Sequence, residues 1–152
     1  MAAYALEPVQ SENDWRIYHE IRRKALFEDR GRPGIYDENH PDEHKTENTP
    51  LILTADDNPV GTVRLDLRNA TDVIVRLVAI TAKERGKGHG KNLVKLAADF
   101  AQMRGRKRLV LNSAPEATEF YRKLGFEDHV WDEAELEAHA PVVQMIKEIV
   151  EL

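Results

Sequence analysis

The chain has 152 residues, a formal net charge of -5, 41% hydrophobic and 32% charged residues, and no cysteine. That length suits one domain with its own core, and no apolar run approaches the roughly 18 residues that a membrane span needs. An acidic chain lacks the basic face that broad nucleic-acid binding requires, and without cysteine there is no disulfide, thiolate metal site or cysteine nucleophile. The start, MAAYALEPVQ, shows neither the basic flank nor the apolar segment of a secretory leader, so a cytoplasmic protein is expected.

Ser11 to Arg23 reads as a first helix: Ser11 is placed to cap it, Asp14 stands at the third helical position, and Trp15, Tyr18, Ile21 and Ala25 recur at helical spacing on what should be the buried stripe. From Gly31 to Thr49 the pattern gives way to a stretch rich in Gly, Pro, Asn and acids, read as a long loop or irregular helix. Loops of that length in compact domains are commonly functional. Three strand-like runs follow, Leu51 to Ala55, Val60 to Leu67 and Asp72 to Ile80, joined by DDNP and RNAT and so expected as an antiparallel meander. Leu93, Leu96, Ala97, Phe100 and Met103 then mark one face of a helix ending near Gly105, and RLVLN, Arg108 to Asn112, reads as a short buried strand. Glu116 to Leu124 forms a further short helix that Gly125 stops, with Phe126 set to make the accompanying apolar contact. After the acidic link WDEAELEAH a last strand is expected at Val142 to Lys147.

The segment that points to chemistry is RGKGHGKN, Arg85 to Asn92, between a strand and a helix. Such a turn aims several backbone N–H groups into one concavity, where the helix dipole adds positive potential. Glycines let an anion approach the backbone and supply positive φ. The nucleoside-triphosphate loop needs four residues between its first glycine and a Gly-Lys pair, followed by Ser or Thr; here three separate Gly86 from Gly90, and Asn92 follows Lys91. The dinucleotide pattern also fails, because Gly86, Gly88 and Gly90 miss its third glycine and the preceding meander is not βαβ.

What does match is Arg85-x-x-Gly88-x-Gly90, between LVAI and NLVKLA, with FYRKLGF downstream. In these residues the chain resembles the GNAT superfamily of acyl-CoA-dependent N-acetyltransferases. The resemblance implies one α/β (α+β) domain over residues 1–152, with a mixed, mostly antiparallel sheet flanked by helices, and acetyl-CoA as acyl donor. It implies that Arg85, Gly86, Lys87, Gly88, His89, Gly90 and Lys91 hold the pyrophosphate, His89 through its backbone N–H. By the same resemblance Val78, Ala79 and Ile80 give main-chain hydrogen bonds to the pantetheine arm, and Tyr121 stands beside the thioester sulfur as the catalytic residue. The family's frequent Asn upstream of that Tyr falls on Ala114, so Asn112 or Ser113 is expected to substitute.

The implied reaction is direct attack of a primary amine on the acetyl carbonyl. A lysine-like amine with pKa near 10.4 costs about 4 to 5 kcal/mol to deprotonate at pH 7, so a base or a desolvating pocket matters. The family's usual glutamate slot holds Ile74 here. Asp72 shares the Ile74 and Arg76 face of an ideal strand, where it could relay a proton through water, but it is expected simply to lie at the strand's exposed start, and Asp66, Glu38, His40 and His44 are further candidates that the sequence does not rank. Asp37, Glu38, Asp42 and Glu43 in the long loop suggest a cationic acceptor, a small-molecule or peptide amine. No metal site, nucleic acid or membrane is implied, and a homodimer is allowed by analogy. The rival reading is a non-catalytic acyl-CoA-binding or regulatory module that kept the cradle and lost its base.

Overall fold

Apolar and polar residues alternate through the middle of the chain, and in the computed structural model, which describes residues 2–28, 31, 34 and 36–149, those runs become the centre of a seven-stranded sheet. Strands β2 (Asn48–Ala55), β3 (Asn58–Leu67) and β4 (Asp72–Ile80) form the expected meander, each beside its chain neighbour and antiparallel. Asp56 and Asp57 take the two positive-φ positions of the first turn, the conformation a tight hairpin demands. Further along come β5 (Arg108–Ser113), β6 (Glu127–Asp128) and β7 (Val143–Glu148), and an edge strand β1 (Tyr4–Pro8) that the sequence reading lacked, giving the order β1-β2-β3-β4-β5-β7-β6.

Helix α1 (Glu12–Arg22) begins in a full capping box: Ser11 Oγ accepts from the Asp14 N–H at 3.0 Å, while the Asp14 carboxylate accepts from the Ser11 N–H. A π-helical turn, Arg23–Phe27, extends it. Within the long loop Pro41–His44 forms a 3₁₀ turn capped by His40; Arg32, Pro33 and Ile35 of that loop lie outside the described residues. Helix α2 (His89–Met103) lays Leu93, Val94, Ala97 and Ala101 on one sheet face, against Val63, Leu65, Val73, Val75, Leu109 and Leu111. The opposite face carries α1, through Ile21 and Ala25 on Ala79, and Trp131 on Ile74 and Val110. Strand alternation divides the two faces residue by residue.

Two helices complete the chain. Helix α3 (Thr118–Lys123) ends as the sequence predicts: Gly125 has φ 95°, its N–H reaches the Arg122 carbonyl, and the Phe126 N–H bonds to the Tyr121 carbonyl at 3.1 Å. Helix α4 (Glu133–Ala138) lies in the stretch read as an acidic link; its six residues are too few for apolar periodicity to show.

The sheet is closed at one end and open at the other. β4 and β5 run parallel for three pairs only, Asp72–Arg108 to Ile74–Val110. Beyond them β4 continues beside β3 to Ile80 and β5 beside β7 to Ser113, so the two strands part. The closed end is pinned by Asp72, which is fully buried and accepts from Arg108 Nε and Nη2 at 2.8 and 3.1 Å and from Arg68 Nη1 at 3.1 Å. On the open side, Thr62 pairs with Ala79 but Arg64 with Arg76, an extra residue in β4 that puts Leu77 at φ 53°. A leucine held at positive φ costs about 1 to 2 kcal/mol, so the bulge marks a place where shape outweighs local strain.

Candidate active site

The glycine segment follows directly from the open end of β4. The chain turns through Ala82–Glu84 and enters α2 with Gly88 as N-cap at φ 85°, preceded by Gly86 at φ 79°. A Cβ at either glycine would meet nothing within 4 Å, so the space over this backbone is open to a ligand. Gly90 serves a different end: a Cβ there would lie 2.7 Å from the Phe120 ring, so the glycine admits α3 against the first turn of α2 and sets the position of Tyr121 next to it. The Tyr121 ring is half-buried, edge-on to Phe120 and Phe126 with centroids 5.1 and 5.5 Å away.

Side chains around the loop are tied to the protein. Arg85 Nε donates to the Ile80 carbonyl at 3.2 Å, and Lys87 Nζ pairs with Glu84 at 2.8 Å. Lys91 stands exposed on the first turn of α2. His89 is 6% exposed and turned inward, its Nδ1 2.7 Å from the Tyr4 hydroxyl and its Nε2 3.2 Å from Glu84. Since a carboxylate only accepts, Nε2 carries the proton in the neutral ring and Tyr4 donates to Nδ1. The imidazole therefore ties β1 to the loop, and only the backbone N–H of His89 is turned to a ligand's use. Hydrogen bonds from Lys87 and His89 hold the Glu84 carboxyl below its usual range.

Past the last β4–β5 pair, Val78, Ala79 and Ile80 continue along β4 into the Arg85 to Lys91 loop, and Phe120, the neighbour of Tyr121, packs on Gly90 of that loop; the parting of β4 and β5 leaves a gap after these pairs. Asn112 reaches it less directly. Its Nδ2 donates to Glu135 Oε1 at 3.0 Å and its Oδ1 accepts from Gln144 at 3.0 Å. The same Glu135 oxygen accepts from Arg76 Nη1, so one carboxylate from α4 bridges β4 and β5 just past the last backbone pair. Ser113 is buried, and its Oγ donates to the Ala114 carbonyl, a local contact of the turn that follows β5.

On the sheet face that carries α1, a cleft of about 350 Å³ opens beside Leu77. Its floor is an ion network. Glu43, 4% exposed, accepts from Arg22 and from Arg64 Nη1, and Asp66 accepts from Arg64 Nε at 2.8 Å and Arg76 Nε at 3.1 Å. Burial pushes the Glu43 carboxyl up, but the two guanidiniums win and hold it below the ordinary value. Tyr36 and Phe27 wall one side, burial raising the Tyr36 phenol to about 12. His40, Asp37 and Asp42 form the loop side, and His139, at the end of α4, the other.

These partners revise the expectation of an acidic, cation-seeking loop. Glu43 is consumed by Arg22 and Arg64, Glu38 pairs with Arg23 at 2.8 Å, Asp42 pairs with Lys45 at 2.8 Å, and Asp37 accepts from the Asn39 N–H. Among the proposed bases, Asp72 is the pin of the closed end, and Arg68 and Arg108 overcome burial to keep it ionised below its usual range. Asp66 lies under two arginines, and the His44 ring rests 5.1 Å from Trp15. Sequence reasoning missed Arg22, Arg64, Arg76, Glu135 and His139. Two signals were present: an arginine four places after Tyr18 on a buried stripe, and arginines inside otherwise apolar strands.

A sheet that splays after three parallel pairs, onto a glycine loop opening a helix, defines a protein built to seat an extended ligand with an anionic end. The chain belongs to the GNAT acetyltransferase family: residues 35–149 match the family model described as Acetyltransferase (GNAT) domain. Escherichia coli ElaA is similar in fold, with TM-score 0.76 and 17% identity over 97% of this chain and 100% of that one. The N-acetylglutamate synthase of Neisseria gonorrhoeae, solved with coenzyme A and N-acetyl-glutamate, superposes with TM-score 0.76 at 19% identity, over 99% of this chain and 36% of its own. In sequence, glucosamine 6-phosphate N-acetyltransferase 1 of Oryza sativa subsp. japonica is 39% identical over 49 residues, 32% of this chain and 30% of the rice protein. This chain thus matches less than a third of the length of that curated relative. Among the described residues no helix is long and apolar enough to cross a membrane.

Proposed function

We propose that residues 1–152 form an N-acetyltransferase domain that moves an acetyl group from acetyl-CoA to a primary amine, a small molecule or a peptide amine, by direct attack. The observation that carries this reading is the continuity of the gap between β4 and β5 with the open backbone at Gly86 and Gly88. An extended pantetheine arm can add to the edge of β4 at Val78 to Ile80 in the manner of an extra strand. The pyrophosphate then meets the N–H groups of the Gly86 to Lys91 segment, with Lys87 and Lys91 adding charge. Coenzyme A in the solved N-acetylglutamate synthase, and the amino-sugar acceptor named for the rice relative, support the donor and the amine.

In the transfer the amine nitrogen bonds to the acetyl carbon, the carbon–sulfur bond breaks with its electron pair on sulfur, and the amine sheds its extra protons. Tyr121 packs on the α2 face of the sheet, and in this reading its hydroxyl supplies the hydrogen bond or proton for the leaving thiolate. By reference values full donation is uphill by roughly 2 kcal/mol, so a strong hydrogen bond is sufficient. Asn112, held by Glu135 and Gln144, borders the far wall.

Calorimetric titration with acetyl-CoA tests the donor, with Gly88→Glu as control: binding is expected in the parent and lost in a folded variant that fills the cradle with a side chain and a negative charge. Intact-mass screening of small amines and peptides then tests transfer. Tyr121→Phe should lower kcat by about 100-fold while leaving the acetyl-CoA Kd within about twofold. Tight binding without turnover on any amine would instead mark a non-catalytic module, the reading that the buried Ile74 in the family's base position favours.

A further inference from the structure

We propose that His139 takes the proton from the acceptor ammonium, with Glu135 as its positioning carboxylate. The inference rests on the transferase reading above and names the base that the sequence left without an owner.

The cleft beside Leu77 holds few groups with a lone pair to spare. Glu43 Oε1 accepts from both Arg22 and Arg64, which hold the carboxylate as their counter-ion even though its buried Oε2 has no hydrogen-bond partner among the described residues; Asp66 is held the same way by Arg64 and Arg76, and Asp37 accepts the Asn39 N–H. Two imidazoles line the cleft among the described residues, His40 and His139. His40 Nδ1 accepts from the Asp42 N–H at 3.2 Å, so its neutral ring carries the proton on Nε2 and presents only a donor outward. That ring also sits 3.7 Å from the Asp42 carboxylate, which Lys45 already holds. His40 caps a turn and is a poor acceptor.

His139 is arranged the other way. It follows Glu135 by one helical turn at the end of α4, with Nε2 3.9 Å from Glu135 Oε1. A carboxylate on that side favours the Nε2–H tautomer and leaves the Nδ1 lone pair for an incoming proton. The contact is longer than a hydrogen bond, as catalytic pairs often are before substrate closes them. Glu135 is in turn fixed by Arg76 and Asn112, which anchor it between β4 and β5. His139 is half exposed and shares the cleft wall with Arg76 and Leu77, so an amine entering toward the β4 bulge passes it. Charged or titratable groups lining the cleft with it are Arg64 from β3, Arg76 from β4, Arg22 from α1, and Tyr36, Asp37, His40, Asp42 and Glu43 from the loop.

The proton balance is simple. His139 Nδ1 receives one proton from R–NH3+, the free amine nitrogen attacks the acetyl carbon, the second nitrogen proton leaves as the amide forms, and the thiolate is protonated as coenzyme A departs. His139 then returns its proton to solvent.

The test uses the full chain and the best amine from the screen. His139→Gln should lower kcat/KM by about 100-fold and remove the acid limb of its pH profile, with acetyl-CoA affinity unchanged. Glu135→Gln should give a smaller loss, about tenfold, and shift the His139 ring nitrogens in 15N NMR away from the Nε2–H tautomer. Imidazole added to His139→Ala should restore part of the rate. An active parent whose His139→Gln variant keeps both rate and acid limb overturns the base assignment alone. So does a His139 ring whose tautomer is the same with and without the Glu135 carboxylate, for then Glu135 does not position it. A parent that binds acetyl-CoA but acetylates no amine overturns the transferase reading, and the base with it.

Discussion

The two sides of the open sheet are built from different material. Toward α2 the cofactor cradle is mostly backbone: the free edge of β4, two positive-φ glycines and the first N–H groups of a helix. Toward α1 the cleft proposed for the acceptor is mostly side chain, with Arg22, Glu43, Arg64, Asp66, Arg76 and Glu135 drawn from five parts of the chain. A site made of backbone tolerates changes in neighbouring charges and fails when its space is filled. A site made of buried ions fails when one partner is removed, because the remaining charge has no solvent to turn to.

The comparison breaks most sharply at Glu43. Its replacement by alanine strands Arg22, nearly buried, and leaves Arg64 with Asp66 alone, and should destabilise the fold by about 3 to 5 kcal/mol, read as a fall in the urea midpoint. A loss below about 1 kcal/mol would show that the arginines find water and that the cleft floor is not a closed network.

Asp72 sharpens the contrast through pH. Arg108 and Arg68 hold its folded pKa beneath the unfolded value near 3.8, so its stabilisation is complete above that value and is lost as pH falls through the folded pKa. Acid titration of parent stability should therefore steepen below about pH 4. Asp72→Asn should be less stable at pH 7 by about 1 to 3 kcal/mol and show a shallower acid slope; parallel acid curves would remove Asp72 as the pin of the closed end.

The smallest effect is expected at the cradle's rim. Lys87 is exposed and pairs with Glu84, so Lys87→Ala should leave the unfolding midpoint unchanged while weakening acetyl-CoA binding by about tenfold or less, as one charge-assisted contact is lost. A large fall in stability would mean that the loop's shape depends on its side chains rather than its glycines.

Legibility followed the same division. The capping box at Ser11, the meander from β2 to β4, the Gly125 stop and the glycine loop all depend on residues close in sequence, and each stands where the spacing placed it. The antiparallel expectation also held for most of the sheet, with β4 and β5 the one parallel pair among the described strands. Tyr4–Pro8 went unread because a short edge strand has little alternation to show, and Glu133–Ala138 because six residues do not complete two turns. His89 sits in the motif, yet nothing local announces that its ring points inward to Tyr4, since Tyr4 arrives from the far end of the chain.

By itself the sequence determined the family, the mostly antiparallel α/β architecture and the glycine turn that opens a helix with its backbone uncovered, because glycine spacing, helix caps and strand alternation are local constraints on φ, ψ and facing. The tertiary structure decided the cleft on the α1 face: that Glu38, Asp42 and Glu43 of the loop are ion-paired, that Glu135 spans the parting strands, and that His139 comes to the cleft wall. Those facts rest on side chains that meet only when the sheet closes, and on burial, which turns a distant charge into a necessary partner.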